Sequence, residues 1–245
     1  MMVPPLCQFI LLLLFISPFS ISTSSENDLI THYPLQIRSE RDLPNCATAN
    51  TVCSILQKRY WIPSILNRYC RCPEGIDCPS DWTGVDYVAV SNVSSLVRVI
   101  KGPEYSLALT NRAQMKFCSS MKSIETCAPN QSAVNIRING SLQSDSTQFP
   151  STRVLCKCPG NHTWQQTSIM GDENKSPATT SSYTCKPLKR CRSRANCGAI
   201  TTDTFSVYPY CLCRRGSVCT IENRTLTHVE ELHYSGSAYL GVCRP

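Results

Sequence analysis

The chain has 245 residues, 17 cysteines and a formal net charge of +7. Apolar residues make up 42% of the chain and aromatic residues only 8%, so the composition does not indicate a large continuous hydrophobic core. Beyond the N-terminus no stretch approaches the ~18 apolar residues of a transmembrane helix, which argues against stable membrane insertion.

The N-terminal segment is typical of a signal peptide. Residues 9–16 form an apolar run of eight, which is too short to span a bilayer, and small residues follow it. Ser20 and Ser22 would occupy the −3 and −1 positions of a cut after Ser22. We therefore predict a signal peptide at 1–22, an N-terminal extension at 23–39 and a secreted, extracellular protein. The alternative is an uncleaved anchor.

Cysteine is the most informative residue of the chain. Cys7 falls in the predicted signal peptide, so sixteen cysteines remain, and an even number is what complete pairing requires. An oxidising compartment would let eight disulfides persist, each contributing about 2–4 kcal/mol. The predicted disulfide residues are Cys46, Cys53, Cys70, Cys72, Cys78, Cys118, Cys127, Cys156, Cys158, Cys185, Cys191, Cys197, Cys211, Cys213, Cys219 and Cys243.

Zinc binding is the alternative use of many cysteines. The chain has no Cys-x-x-Cys pair, and its four histidines do not lie at ligand spacing from the cysteines. We therefore predict no metal and no other cofactor.

The cysteine spacing indicates an internal repeat. The pattern Cys-x-Cys occurs three times, at 70–72, 156–158 and 211–213. A looser cysteine pair precedes each copy. The first and third copies add a glycine and a further cysteine beyond the Cys-x-Cys pair, and the second copy has no such cysteine. We predict cysteine modules at 40–84, 85–165 and 183–245, with a polar linker at 166–182. One fold with coincidental spacing is the alternative.

The Cys-x-Cys pattern also predicts how the cysteines are used. Residues i and i+2 of a strand point to the same face, so two such cysteines cannot conveniently bond each other. Each should therefore reach a different partner and tie one strand to two other segments. The expected fold is small, disulfide-rich and mainly β with long loops.

Local composition places the predicted elements. Strand-like segments lie at 85–90, 95–100 and 105–109, the last two joined by a turn at 101–104. Further predicted strands are at 154–158 and 205–211. Polar residues, many of them Ser or Thr, predict loops at 141–152 and 165–183. Short helices are possible near Leu56 and at 225–232.

Several N-x-[ST] sequons agree with secretion and predict a glycoprotein whose sugars would face solvent. A sixth sequon, at Asn174, is the weakest because Pro177 follows its Ser. The predicted glycosylation sites are Asn92, Asn130, Asn139, Asn161 and Asn223.

The positive charge is concentrated in the third predicted module. Between Cys185 and Cys219 there are seven Lys and Arg residues against a single Asp. Such a field attracts acidic channel vestibules, sulfated glycans or phospholipid headgroups. A solvated basic face without a partner is the alternative, and nucleic acid is an improbable partner for a secreted protein. The candidate partner-binding residues are Lys189, Arg190, Arg214, Arg215, Tyr208 and Tyr210.

Catalysis finds little support in the sequence. G-x-S-x-G and H-E-x-x-H are both absent, and His228 and His233 are five residues apart, which fits neither zincin pattern. Evenly paired cysteines would leave no thiol nucleophile. We expect a protein that is not an enzyme and has no catalytic residues.

Several motifs together resemble the scoloptoxin-11 family of cysteine-rich secreted proteins from centipede venom. They are Cys-Arg-Cys-Pro-Glu-Gly at 70–75, Asn-Arg-Ala-Gln-Met-Lys-Phe-Cys at 111–118, Cys-Lys-Cys-Pro at 156–159, Tyr-Thr-Cys-Lys-Pro-Leu at 183–188 and the terminal Cys-x-Cys-x5-Cys at 211–219. The resemblance implies secretion, extensive disulfides, no catalysis and, for some members, impairment of voltage-gated potassium channels.

Two functions from different classes follow. The first is a toxin-like ligand of an ion channel, in which Lys or Arg meets an acidic pore mouth and Tyr provides an apolar anchor. The second is a non-venom extracellular protein that binds a receptor, growth factor or matrix component. A protease inhibitor with a reactive loop in the basic segment at 185–219 is a weaker third possibility.

Overall fold

The computed structural model describes residues 29–34, 37–73, 76–83, 104–138, 150–171 and 179–245. Their regular elements are thirteen β-strands and one short 3₁₀ turn at Glu40–Asp42. The described ranges contain no helix long and apolar enough to cross a membrane. The predicted fold class, disulfide-rich and mainly β, is confirmed. The predicted signal peptide and the predicted strands at 85–90 and 95–100 lie outside the described residues.

The first sheet has five strands in the order β1-β3-β2-β5-β4. These are β1 (Leu29–His32), β2 (Val52–Gln57), β3 (Ser64–Arg68), β4 (Ser106–Ala108) and β5 (Ala113–Phe117). Strand β1 joins the edge parallel to β3, and the other pairs are antiparallel. Strand β4 lies within the segment 105–109 that the sequence predicts to be a strand.

Strand β5 is buried on both faces, and its sequence alternates accordingly. Ala113, Met115 and Phe117 face the hydrophobic core. On the other face, Lys116 Nζ donates hydrogen bonds to Ser106 Oγ at 2.9 Å and Gln114 Oε1 at 2.8 Å. Burial lowers the pKa of Lys116 to about 8, against the opposing field of Asp81. The polar face is therefore tolerated because its amine is surrounded by acceptors.

The second and third sheets have four antiparallel strands each, in the orders β7-β6-β9-β8 and β11-β10-β13-β12. The second contains β6 (Ser132–Ile138), β7 (Pro150–Val154), β8 (His162–Gly171) and β9 (Thr179–Pro187). The third contains β10 (Asn196–Thr201), β11 (Val207–Pro209), β12 (Val218–Glu231) and β13 (Tyr234–Arg244).

The three sheets are copies of one topology. When β1 is set aside, each sheet has its strands in the order second, first, fourth, third along the chain. The pairing between the first and fourth strands shifts register at the same place in each copy, at Cys53, Ala133 and Cys197. A β-bulge repeated three times at the equivalent position is a property of the repeat itself.

The disulfides follow the same repeat. In each copy the first cysteine bonds the first member of the Cys-x-Cys pair, and the second member bonds a cysteine in or just after the fourth strand. A further disulfide, at the bulge, occurs in the first and third copies. The bonds are Cys46–Cys70, Cys53–Cys78 and Cys72–Cys118, then Cys127–Cys156 and Cys158–Cys185, then Cys191–Cys211, Cys197–Cys219 and Cys213–Cys243.

The second copy lacks the bulge disulfide because Ala133 occupies the position of Cys53 and Cys197. Ala133 is fully buried beside Cys127 and Cys156, and Trp164 packs against this cluster. An aromatic side chain therefore covers the site where the other copies have a cystine.

The Cys-x-Cys pairs do reach different partners, as predicted, but they lie just beyond the strands and not within them. The residue between the two cysteines forms an isolated parallel bridge in every copy, and these residues are Arg71, Lys157 and Leu212. Their carbonyls accept hydrogen bonds from Cys46, Cys127 and Cys191 at 2.8–2.9 Å. A bridge and a disulfide thus close the same loop.

Two disulfides cross the module boundaries that the sequence predicts. Cys118 bonds Cys72, and β5, which immediately precedes Cys118, belongs to the first sheet. The predicted boundary at residue 84 therefore lies within the first copy. Cys158 bonds Cys185 in the same way, across the segment predicted as a linker.

Five secondary-structure predictions are wrong. The described part of the predicted loop at 141–152 is strand, and the predicted strand at 154–158 begins where that strand ends, because β7 spans Pro150–Val154. The described part of 165–183 is strand, in β8 and β9, because exposed Ser and Thr residues can pair across a hairpin without apolar alternation. Leu56 lies in the inner strand β2 and not in a helix. Residues 225–231 lie in β12, since β13 pairs with them along their length.

One hydrophobic core serves all three sheets. Val52, Met115 and Phe117 from the first sheet pack with Val134 and Val154 from the second. The third sheet contributes the turn between β12 and β13, where Leu232 is 1% exposed and belongs to the same cluster. The three copies therefore form one molecule around a shared centre.

The neighbouring residue of that turn, His233, is partly buried at the junction. His233 Nε2 lies 3.0 Å from Thr152 Oγ1 of the second sheet, and its ring centroid is 5.7 Å from that of Tyr69 in the first. Burial lowers the pKa of His233 to about 4 and raises the pKa of Tyr69 to about 12, so both are neutral at pH 7. His233 has φ of 59°, which allows the tight turn.

Candidate protein-binding surfaces

The structure separates the predicted partner-binding residues into exposed and buried groups. Lys189, Arg190, Arg214 and Arg215 are all exposed, as a binding role requires. Tyr208 is only 5% exposed, which corrects its assignment as a surface anchor. Its hydroxyl donates a hydrogen bond to the Leu232 carbonyl oxygen at 3.1 Å, because β11 places it on the inner face.

Tyr210 is partly exposed, but its hydroxyl is engaged within the protein. The hydroxyl interacts with the carboxylate of Glu231. Burial and the charge of Glu231 raise the pKa of Tyr210, so it stays protonated. Tyr210 is 42% exposed and therefore keeps surface available for a partner.

An exposed group of large apolar side chains, which the sequence did not predict, lies where the first and third sheets meet. Trp61 is 96% exposed, and Tyr60, Ile62 and Phe205 are also exposed. The Tyr60 ring centroid is 5.4 Å from that of Trp61 and 5.9 Å from that of Phe205. We call Tyr60, Trp61, Ile62 and Phe205 the aromatic patch.

Two loops build the aromatic patch. Residues 58–63 connect β2 to β3, and Phe205 lies in the loop between β10 and β11. Trp61 has φ of 54° and Phe205 has φ of 53°, values that bulky residues rarely adopt. Strained backbone of this kind persists only where the surrounding structure holds it, and it is concentrated at functional sites.

Contacts between the first and third sheets fix the two loops relative to each other. Within the first copy, Arg112 stacks its guanidinium on the Tyr60 ring, 3.2 Å from the centroid. Thr110 Oγ1 donates to Ser206 Oγ at 3.1 Å, and the Val207 amide donates to Asn111 Oδ1 at 2.9 Å. The patch is therefore preorganised although its residues come from distant parts of the chain.

The predicted glycosylation sites can be placed where they are described. Asn130, Asn161 and Asn223 are exposed, and the first two have φ near 60°. Asn92 and Asn139 lie outside the described residues. Attachment of glycans to any of them stays a prediction.

Sulfur atoms cluster in each copy, but as cystines. In the described ranges, the groups of three Sγ atoms within 4.8 Å of one another all consist of disulfide-bonded cysteines. Metal ions bind the thiolate, which a disulfide does not offer.

The fold and the disulfides define a cysteine-rich β protein of the type found in oxidising, extracellular compartments. The chain is similar in fold to the crystal structure of unliganded Argos, with a TM-score of 0.53 and 23% sequence identity over 89% of this chain and 99% of that one. No family model matches the chain, and a search of curated proteins finds no match. The resemblance to scoloptoxin-11 proteins therefore stays a prediction.

Proposed function

We propose that this chain is an extracellular binding protein that captures another protein through the aromatic patch. The observation that supports this most strongly is the nearly complete exposure of Trp61 beside Tyr60, whose ring packs against Arg112 and Phe205. Trp, Tyr and Arg are the residues that contribute most to protein interfaces. Trp61, Tyr60 and Arg112 together provide one of each.

The shape of the patch favours a protein over a small molecule. Small ligands are bound in concave, mostly apolar pockets, whereas Trp61 projects outward into solvent. A projecting aromatic anchor fits a pocket on a partner, and its rigid loop limits the entropy lost on binding. The fold similarity to Argos, whose structure is described as unliganded, is consistent with a scaffold for ligand binding.

Affinity capture with matched variants tests the proposal. The immobilised glycosylated protein is exposed to extracellular fluid of its source, in parallel with Trp61→Ser and with Ile169→Ser as the control. Ile169 is 66% exposed in β8, outside the aromatic patch. The captured protein is then purified and its Kd measured by surface plasmon resonance.

We expect Trp61→Ser to weaken binding by about 2 kcal/mol or more, which is about 30-fold in Kd. Ile169→Ser should change Kd less than about twofold. Equal binding by wild type and Trp61→Ser would contradict the proposed site. Capture of no protein that survives purification and direct measurement would contradict the proposed function.

Impairment of a voltage-gated potassium channel is a second candidate, implied by the resemblance to scoloptoxin-11 proteins. The exposure of Lys189, Arg190 and Arg215 favours it, because cationic side chains on a rigid scaffold can enter an acidic pore mouth. Patch-clamp recordings across a channel panel test it. If the protein blocks a channel and Arg190→Ser weakens that block, the result supports this candidate. Absence of block at micromolar protein concentration would refute it.

A further inference from the structure

Three arginines of the third sheet project from one cystine cluster. The Sγ atoms of Cys191, Cys213 and Cys243 lie within 4.8 Å of one another. Each of these cysteines is followed directly by an arginine, and these are Arg192, Arg214 and Arg244. Since the backbone of each arginine is attached to a covalently fixed neighbour, little backbone entropy is lost when the three side chains meet a ligand.

The repeat itself does not require these arginines. The equivalent sulfur clusters are Cys46, Cys72 and Cys118 in the first copy, and Cys127, Cys158 and Cys185 in the second. The residues that follow them are Ala47, Pro73 and Ser119 in the first copy and Ala128, Pro159 and Lys186 in the second. Two other copies of the same topology fold with at most one cation at these positions, so the arginines of the third copy need another explanation.

The three arginines line an open cleft of about 500 Å³, which we call the arginine cleft. Arg194 adds a fourth guanidinium, and the cleft walls otherwise carry small or polar side chains such as Ser193 and Ser217. Glu222 is the one carboxylate among the residues that line it, and Arg244 forms an ion pair with it. Arg192, Arg194 and Arg214 therefore leave an excess of positive charge.

Two tight turns present these side chains. The Ala195 amide donates to the Arg192 carbonyl at 3.1 Å, and the Ser217 amide donates to the Arg214 carbonyl at 3.0 Å. Gly216 has φ of 81°, which lets the second turn close without strain. Arg194 itself has φ of 60°, a conformation that residues with a Cβ rarely adopt.

We propose that the arginine cleft binds a sulfated polysaccharide of the extracellular matrix or cell surface. Guanidinium groups match the oxygens of sulfate with paired hydrogen bonds, and an open cleft suits a linear polyanion. An acidic protein is the less fitting occupant, because the exposed aromatic anchors typical of protein interfaces lie in the aromatic patch and not among the residues that line this cleft.

Binding of fluorescently labelled heparin, measured by anisotropy at 0.15 M NaCl, tests the proposal. The test variant is Arg192→Ser with Arg214→Ser. The control is Arg38→Ser with Arg137→Ser, two exposed arginines that lie outside the third sheet. Both double variants lower the net charge by the same amount. A difference between their heparin affinities therefore reports the contribution of the cleft and not that of the overall electrostatic field. Near-ultraviolet circular dichroism and thiol titration verify that each variant is folded and fully oxidised.

We expect the cleft variant to weaken heparin binding about tenfold or more, and the control about twofold. The slope of log Kd against log salt should fall by about two for the cleft variant, since two fewer counterions are released. Arg192→Lys with Arg214→Lys should lose less than the serine variant, because it keeps the charge and loses only the bidentate geometry.

Four results would overturn the proposal. Equal losses in the two double variants would show a response to net charge alone. Undiminished binding of desulfated heparin would exclude recognition of sulfate. Displacement of heparin by inorganic sulfate at equal sulfate concentration would show that the cleft binds single anions and does not recognise a polysaccharide. Absence of heparin binding, with an acidic protein captured through the same arginines, would assign the cleft to a protein instead.

Discussion

The burial of Leu232 at the junction of the three sheets gives the sharpest prediction about the fold. Leu232 is 1% exposed and packs in the core that the first and second sheets share. Replacement of a buried leucine by alanine costs about 2–5 kcal/mol, and least where neighbours can close the cavity. Disulfides restrain the surrounding segments, so we expect about 3 kcal/mol, which is about a 150-fold change in the unfolding equilibrium.

The measurement is guanidinium denaturation of the oxidised protein, followed by tryptophan fluorescence, for Leu232→Ala and a matched control. Leu226→Ala removes the same atoms from β12, which leads into the turn that holds Leu232, but Leu226 is 53% exposed. Its free energy of unfolding should change by less than about 0.5 kcal/mol. If Leu232→Ala changed the free energy of unfolding as little as the control, the turn between β12 and β13 would not lie in the shared core.

Two further predictions follow from buried groups. His233 is partly buried, and this burial lowers its pKa to about 4, from 6.5 in the unfolded chain. The unfolded chain therefore binds the proton first, and stability present above pH 6.5 falls by about 3 kcal/mol as pH drops toward 4. His233→Asn should remove this part of the pH dependence of the free energy of unfolding, measured by chemical denaturation at a series of pH values. An unchanged pH dependence would refute the assignment of this effect to His233. Gly198→Ala would place a Cβ 2.5 Å from the Tyr208 carbonyl oxygen, so we expect a loss of about 1–3 kcal/mol, whereas Gly160→Ala, with nothing within 4 Å, should be neutral. Equal thermal stability of the two glycine variants would contradict this close approach.

The sequence predicts the parts of the fold that short-range chemistry determines. The even cysteine number and the repeated Cys-x-Cys pattern indicate paired cysteines with separate partners, and the structure pairs them in that way. The pairing itself depends on which strands are neighbours, and spacing does not reveal this. Among the cysteines, Cys127 is the nearest to Cys118 in the sequence. Cys118 nevertheless bonds Cys72, because both belong to the first copy.

The aromatic patch and the arginine cleft show the same limit. Tyr60 and Trp61 are adjacent, but Phe205 reaches them only through the packing of two sheets. The basic segment is visible in the sequence as a charge cluster, but the arrangement of its arginines around two disulfides is not. Because side chains alternate along a strand, Tyr208 and Tyr210 would lie on the same face of a continuous strand. However, β11 ends at Pro209, so Tyr208 is buried and Tyr210 is partly exposed.

The repeat of one cystine pattern around a shared core is the central claim, and non-reducing peptide mapping tests it most directly. Trypsin can cut after Arg71 and after Lys157, which separates the two members of each Cys-x-Cys pair. Mass spectrometry should then find the Cys156 peptide linked to the Cys127 peptide and the Cys158 peptide linked to the Cys185 peptide. In the first copy Cys46 and Cys53 share a tryptic peptide, so fragmentation of the linked peptides should assign Cys70 to Cys46 and Cys72 to Cys118. Free thiols in the native protein, or both members of a pair linked to one segment, would contradict the account.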